Sequence, residues 1–459
     1  MTGFPAQPPA GETPRPWVLP ERAVRDLGNG LRIAAVRVAG LPVVQARWVF
    51  GSGRIHEPRN RLGAGLLLQR CMRYGSTSLA MRGFAEALDS LGARLGGGVT
   101  IDSSMVSISG LNQHLWPIVD LATGVALEPA IPEVAVAAER LKAQQIHRHE
   151  WAKPEAAVNL WLAHGLYGLH PYGLPRTTQS GLAATSRADL LALHGSIVDP
   201  HRGLLVVVGK LDPHKVVHRL ADRFKDLPSQ TTPTPLSPPP AECSSQQLVL
   251  IPRERADAVC IGFGLPAVAR GDTDFLKLSL LNQVLGGNAG SRLFDDLRNR
   301  RGLTYGAYSQ LDCGRYGGDI TATVMVGADD GVECLEALHG QLSRMADEGP
   351  DEQEWARAQQ LLVGQFPQRA SGLAGLAMLE TVGWLHELPD GVWETEQGRT
   401  ATLRLHDARS AASHHFDPRR STWVATGTPD KLAPIAATAS ALGLTVVERE
   451  MDDLESAGG

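Results

Sequence analysis

Cysteine is scarce in this chain: five residues (Cys71, Cys243, Cys260, Cys313 and Cys334) among 459, scattered and without a CxxC pair. That pattern speaks against a disulfide framework and a cysteine zinc site, and it fits a reducing compartment. Long apolar runs are missing as well. None approaches the roughly 20 residues a membrane helix needs, so no membrane span is expected. Excess charge of one sign is also absent. With 44 Lys+Arg against 49 Asp+Glu the net charge is −5, which removes the electrostatic footprint of a dedicated nucleic-acid binder. The first seventeen residues are rich in Pro and Gly and carry no apolar stretch after a basic start. No secretory signal is read there, so a cytoplasmic location is expected, or a periplasmic one if a leader has been trimmed.

What is present is ordinary globular material, 43% hydrophobic and 20% charged, long enough for two or three domains at roughly 150 residues each. The sharpest break is LPSQTTPTPLSPPPAE, where Pro, Thr and Ser replace any apolar period; such a stretch reads as an extended linker. It predicts a flexible tail over residues 1–24, a domain over 25–226, the linker at 227–244, a second domain over 245–449 and a polar tail at 450–459.

The two halves resemble each other. Asp199-Pro200 leads through an apolar run to Gly209, and Asp417-Pro418 leads through Trp423, Val424 and Ala425 to Gly427. In both copies the Gly lies ten residues after the Asp, and a helical segment follows. Each copy reads as turn, buried strand, turn, helix. More loosely, a helical segment at 81–95 precedes strands at 99–102 and 105–110, while one at 292–299 precedes strands at 305–310 and 318–326. The fold class expected is α+β: two homologous domains, each an antiparallel-rich sheet with helices on one face.

Residues 49–76, VFGSGRIHEPRNRLGAGLLLQRCMRYGS, open a series of motifs that continues with Leu166-Tyr167-Gly168, His170-Pro171-Tyr172-Gly173 and GGNAGSRLFDDLRNRRGLTYGAYS at 286–309. Taken in order, with Phe366-Pro367 in a later helical segment, these motifs resemble the M16 (insulinase-like or pitrilysin-like) peptidase family over nearly the whole chain. Active members carry HxxEH on a helix: two His one turn apart ligate Zn²⁺, the Glu activates its water, and a distant Glu completes the site. The resemblance places that motif on residues 66–70, where Leu66 and Arg70 replace the two His and Gln69 replaces the Glu. It places the distant ligand at Gln145, in Gln144-Gln145-Ile146. Leucine has no lone pair, arginine is a cation, and a glutamine amide takes no proton at neutral pH. This chain is therefore expected to hold no metal.

Other histidines offer weak substitutes. His214 and His218 have helical ligand spacing without a third ligand, and read as surface residues. His147, His149 and Glu150 diverge around a helix rather than converging, and His414-His415 is weaker still. Cys71 lies beside the degenerate motif with no His/Asp partner pattern to make it a nucleophile. Gly96-Gly97-Gly98 and Gly286-Gly287 match no phosphate-cradle pattern and read as turns. The resemblance adds a backbone role in peptide binding for Gly286 and Gly287.

The resemblance also implies a positive signal. In LRxxRGLTY, Arg298 and Tyr305 occupy positions whose Arg and Tyr reach into the active site of the assembly and hold substrate backbone or developing oxyanion. A fixed cation and a phenol donor suit charge growing on a carbonyl oxygen. The expectation is a non-catalytic subunit of a heterodimeric zinc peptidase. Its partner bears HxxEH and the zinc, and peptide or unfolded polypeptide is the substrate. The alternatives are an inactive scaffold or peptide-binding protein of the same fold, and an autonomous peptidase with a relocated metal.

Overall fold

The β-branched runs of the sequence lie at the centres of two six-stranded sheets in a computed structural model that describes residues 16–79, 81–227 and 246–456. The first sheet comprises β1 (Arg22–Asp26), β2 (Arg32–Arg37), β3 (Val43–Phe50), β4 (Arg94–Val99), β5 (Ser104–Leu111) and β6 (Gly203–Gly209) in the order β1-β2-β6-β3-β5-β4. The second comprises β7 (Gln247–Pro252), β8 (Ala258–Ala267), β9 (Ser309–Cys313), β10 (Gly318–Gly327), β11 (Thr422–Gly427) and β12 (Thr445–Glu448) in the order β12-β7-β11-β8-β10-β9. The chain is thus α+β with two related halves, as its repeats suggested.

The repeated Asp-Pro elements have one structural cause. Asp199 accepts a hydrogen bond from the His201 amide at 3.0 Å, and Asp417 accepts one from the Arg419 amide at 2.9 Å. Each carboxylate caps a short 3₁₀ turn that delivers the chain into the third strand of its sheet, β6 or β11. Both strands have a parallel neighbour on one side and an antiparallel one on the other, and every residue in them is buried. Strands covered on both faces need continuous apolar sequence, which explains their unbroken runs.

What covers the second face departs from expectation. Helices were read on one face of each sheet only. In fact each half lends a helix to the other half's sheet. Helix Pro154–Tyr167 lies across β8, β10 and β11 through Ala157, Val158, Trp161 and Leu162. Helix Gly372–Leu385 lies across β3 and β6 through Leu376 and Ala377. Close approach is built into the sequence: a Cβ at Gly264 would stand 2.8 Å from Leu166 Cδ1, and one at Gly262 would stand 2.7 Å from Val158 Cγ1. Each half buries a face of the other.

Three further expectations are corrected. Residues 94–99 form β4, so Gly96-Gly97-Gly98 is an edge strand rather than a turn, and the strand read at 99–102 begins earlier. A Cβ at Gly97, where φ is +135°, would strike the Met105 carbonyl. The first tail ends sooner than residue 24: Arg22 begins β1, and Trp17 stands edge-on to Phe366 with ring centroids 5.2 Å apart. The final stretch is docked. Leu454 is 1% exposed in the core shared by Trp161 and Val424, and Glu455 accepts the Gln179 amide. Apart from Leu227, the linker at 227–244 lies outside the described residues, as does Cys243. No helix among the described residues is long and apolar enough to cross a membrane.

Candidate functional site

Helix Ala64–Met72 carries Leu66, Gln69 and Arg70. Its start is set by the preceding motif. Gly63 turns the chain with φ +110°, and the Glu57 carboxylate accepts the amides of Gly63 at 3.3 Å and Gly65 at 2.6 Å. These are orphan donors of a first helical turn, and an anion there suits the helix dipole. Gly65 allows the contact, since a Cβ would collide with Glu57 Oε1. The glutamate of the early motif is a structural cap for the helix that bears the degenerate one.

Leu66, Gln69 and Arg70 are each engaged with other parts of this half. Arg70 Nη1 lies 3.6 Å from Glu139 Oε2 on helix Glu133–Trp151. Glu139 also accepts from Tyr74 Oη at 3.1 Å and Lys142 Nζ at 2.8 Å, and these donors hold its carboxyl below the ordinary value against the opposing effect of burial. Gln69 Nε2 donates to the Gly97 carbonyl at 2.8 Å, tying the helix to edge strand β4. Leu66 packs against the first-sheet core. A zinc ion needs converging lone pairs. Here the corresponding volume holds a guanidinium, an amide committed elsewhere and an aliphatic chain, so the residues do not fit the metal. Among the described residues no three His, Cys, Asp or Glu side chains gather as metal ligands.

Gln145 is not where it was expected. It is exposed and stands outside the cavity beside Arg70. Helical periodicity carries the facing stripe of its helix through Glu139, Ala143, Ile146, His147 and Glu150 instead. The carboxylate opposite Arg70 is therefore Glu139.

Two cavities meet at this place. One of about 720 Å³ is lined by Leu66, Gln69, Arg70, Glu139 and Arg176, among others. The second, about 870 Å³, lies between the halves; Gln69, Asn159 and Arg176 border both. The far wall of the second cavity explains two motif tyrosines. Tyr167 Oη donates to Asp319 Oδ2 at 2.8 Å, and Tyr172 Oη donates to Asp102 Oδ2 at 2.6 Å. Burial, followed by the adjacent carboxylate, pushes both phenols well above their ordinary values. Burial also raises the Asp319 carboxyl to about 6, and it lowers the His386 imidazole to about 4. None of these carboxylates, nor His386, stood out in the sequence, because their partners are distant in the chain.

The remaining candidates separate cleanly. Arg298 lies on the exposed side of the π-helical segment Phe294–Arg300, its guanidinium 4.7 Å from the Phe294 ring centroid. Tyr305 is 94% exposed and precedes β9, which begins at Ser309 rather than at 305. Both residues stand on the surface, Arg298 with its guanidinium over the Phe294 ring. Gly286 and Gly287 line neither cavity. Gly286 ends helix Phe275–Leu285 and accepts the Ser309 amide at 3.0 Å, so it serves the helix-to-β9 packing, while Gly287 lies against Gln283.

His147 is buried, with Nε2 2.6 Å from Glu455 and Nδ1 2.9 Å from Thr177 Oγ1; His149 is exposed. His214 and His218 are exposed, His218 pairing with Asp222, and His415 pairs with Asp274. Cys71 is buried, which pushes its thiol up to about 12 and disfavours a nucleophilic thiolate.

Comparison with known proteins follows this geometry. Residues 32–179 match the family described as insulinase (peptidase family M16), and residues 184–362 match the family described as the peptidase M16 inactive domain. An uncharacterized zinc protease of Mycobacterium tuberculosis is 27% identical over 317 residues, 67% of this chain and 69% of that one. A non-peptidase homolog of Helicobacter pylori is 19% identical over 333 residues, 72% of this chain and 76% of that one. The crystal structure of a peptidase M16 inactive domain from Pseudomonas fluorescens has a TM-score of 0.82 at 21% identity, covering 89% of this chain and 98% of that chain.

Proposed function

The chain belongs to the M16 peptidase family, and from that premise we propose that it is a non-catalytic subunit of a two-chain zinc peptidase. Its own motif helix has no metal chemistry to offer. Its work is to close a peptide-binding chamber and to present Arg298 and Tyr305 to the zinc site of an HxxEH-bearing partner. There the guanidinium and the phenol would stabilise the oxyanion formed as water attacks the scissile carbonyl. The observation that carries this reading is a contrast. Leu66, Gln69 and Arg70 are committed to packing, the Gly97 carbonyl and Glu139, while Arg298 and Tyr305 are both exposed.

The test is zinc content and peptidase activity of the purified chain, alone and mixed with an HxxEH-bearing chain. No zinc and no activity alone, with activity gained on mixing over the partner by itself, is expected. Stoichiometric zinc and turnover by the chain alone would overturn the reading. A second reading, an inactive peptide-binding or scaffold protein, is favoured by the name of the Helicobacter pylori relative. It predicts that mixing adds nothing to the partner's own turnover.

A further inference from the structure

The cavity beside Arg70 is bordered by three arginines, Arg70, Arg73 and Arg176, and two carboxylates, Glu139 and Glu150. The carboxylates are already matched by the chain itself. Glu139 is held by Lys142, Tyr74 and Arg70, and Glu150 by Lys153 Nζ at 2.6 Å. Of the cations, Arg70 is paired with Glu139, while Arg73 and Arg176 are held by no hydrogen bond or ion pair with a described residue. Both side chains are exposed, and Arg176 has the Glu57 carboxylate as an electrostatic neighbour. Arg54, which borders the adjoining cavity, feels Arg176 as a like charge and Glu57 as its counter-charge. The walls between these cations are apolar, formed by Leu66, Ile146, Leu160 and Trp151. The Trp151 indole N–H is buried without an acceptor among the described residues.

We propose that the degenerate motif has become an anion site, in which Arg73 and Arg176, with Arg70 beside them, bind the carboxylates of a peptide whose apolar side chains lie on the cavity wall. The inference rests on the peptide-binding part of the reading above. Exchanging His for Arg at position 70 turns a place that would attract a cation into one that repels it. A guanidinium fork matches a carboxylate in geometry as well as in charge. The carboxylate has two sources in a peptide, acidic side chains and the C-terminus.

The experiment uses the whole chain and fluorescence anisotropy with three labelled peptides. One alternates Leu and Glu and is C-terminally amidated, one replaces every Glu by Gln and is amidated, and the third is the Gln peptide with a free C-terminal carboxylate. The Glu peptide is expected to bind about tenfold or more tightly than the amidated Gln peptide, the advantage shrinking as salt rises. The double variant Arg73→Ala/Arg176→Ala should lose that advantage with a nearly unchanged melting temperature, because both side chains are exposed and neither is hydrogen-bonded to a described residue. Arg82→Ala, which removes an exposed cation paired with Glu86 elsewhere on the surface, should retain it. A gain by the free-carboxylate peptide assigns the C-terminus as ligand; a gain by the Glu peptide alone assigns side chains. Equal binding of all three peptides, or an advantage that survives the double variant, overturns the anion site while leaving peptide capture standing. Binding of none of them overturns both.

Discussion

Arg70 Nη1 and Glu139 Oε2 face each other at 3.6 Å across two helices, in the cavity beside the degenerate zinc motif. This pairing decides which carboxylate would complete a restored motif. The triple variant Leu66→His/Gln69→Glu/Arg70→His provides two imidazoles, and the carboxylate opposite them is Glu139. Adding Gln145→Glu should therefore bind no more zinc than the triple variant does, because residue 145 is exposed outside the cavity. Adding Glu139→Ala instead should abolish whatever zinc the triple variant retains. Metal content after dialysis checks both, and a gain produced by Gln145→Glu would return that residue to the site.

The acid-side stability profile should show two opposing slopes. Asp319, raised to about 6 chiefly by burial, makes the folded chain bind a proton that the unfolded chain releases near its ordinary value. Its contribution is present at low pH and is lost as pH rises through about 6. His386, lowered to about 4 chiefly by burial, acts oppositely: its contribution is lost as pH falls below its ordinary value. Asp319→Asn removes the first slope. The variant should be more stable than the parent chain by roughly 1–2 kcal/mol at neutral pH, a figure reduced for partial solvent access, and equal to it near pH ~4. Denaturant titrations across this range that coincide for the two chains would dismiss the effect.

The contact between the halves can be tested by a double-mutant cycle. Gly264→Ala places a methyl 2.8 Å from Leu166 Cδ1, where helix Pro154–Tyr167 crosses β8. Overpacking of this kind costs about 1–3 kcal/mol. Leu166→Ala alone costs about 2–5 kcal/mol through the cavity it leaves. The double variant should be more stable than the sum of the two losses, since the new methyl occupies part of the vacated space. Simple additivity in urea denaturation would mean that the helix shifts rather than collides.

The docked C-terminus offers a sharper contrast. Leu454→Ala removes a side chain that is 1% exposed and should cost about 2 kcal/mol, the low end for a buried leucine because a short terminal helix can readjust. Asp452→Ala, two residues earlier and exposed, should fall within about 0.5 kcal/mol of the parent. Equal effects would show that the terminal helix contributes nothing to folding.

The repeat was legible because its cause is local. An aspartate caps a turn two residues on, and the same spacing recurs in both halves. The start of helix Ala64–Met72 is fixed by a similarly local cause, since Gly63 and Glu57 frame it within a few residues. The face of Gln145 was not. Helix Glu133–Trp151 exposes Val134 and Leu141, each at 63%, so its apolar residues do not mark a single buried stripe and its phase could not be read. Nor could sequence reveal that helix Pro154–Tyr167 serves the other half's sheet. Its apolar pattern reports burial without saying against what, and the ion pair from Arg70 to Glu139 joins residues on separate helices.

The assignment of Arg298 and Tyr305 yields the prediction most closely tied to function. A side chain needed for folding is buried or bonded, and its loss lowers stability wherever activity is measured. Tyr305 is 94% exposed, and Arg298 is exposed above the Phe294 ring. Tyr305→Phe and Arg298→Ala should therefore leave the melting temperature of the isolated chain within about 2 °C of the parent, the shift expected for a loss under 0.5 kcal/mol. In the assembled pair, each should lower kcat/KM by about tenfold or more if the phenol and guanidinium meet charge that develops in the transition state. A fall confined to kcat assigns the interaction to the transition state, whereas a rise confined to KM assigns it to ground-state binding of the peptide. Undiminished turnover by a pair that still assembles would remove both residues from the partner's site and leave the scaffold reading in possession.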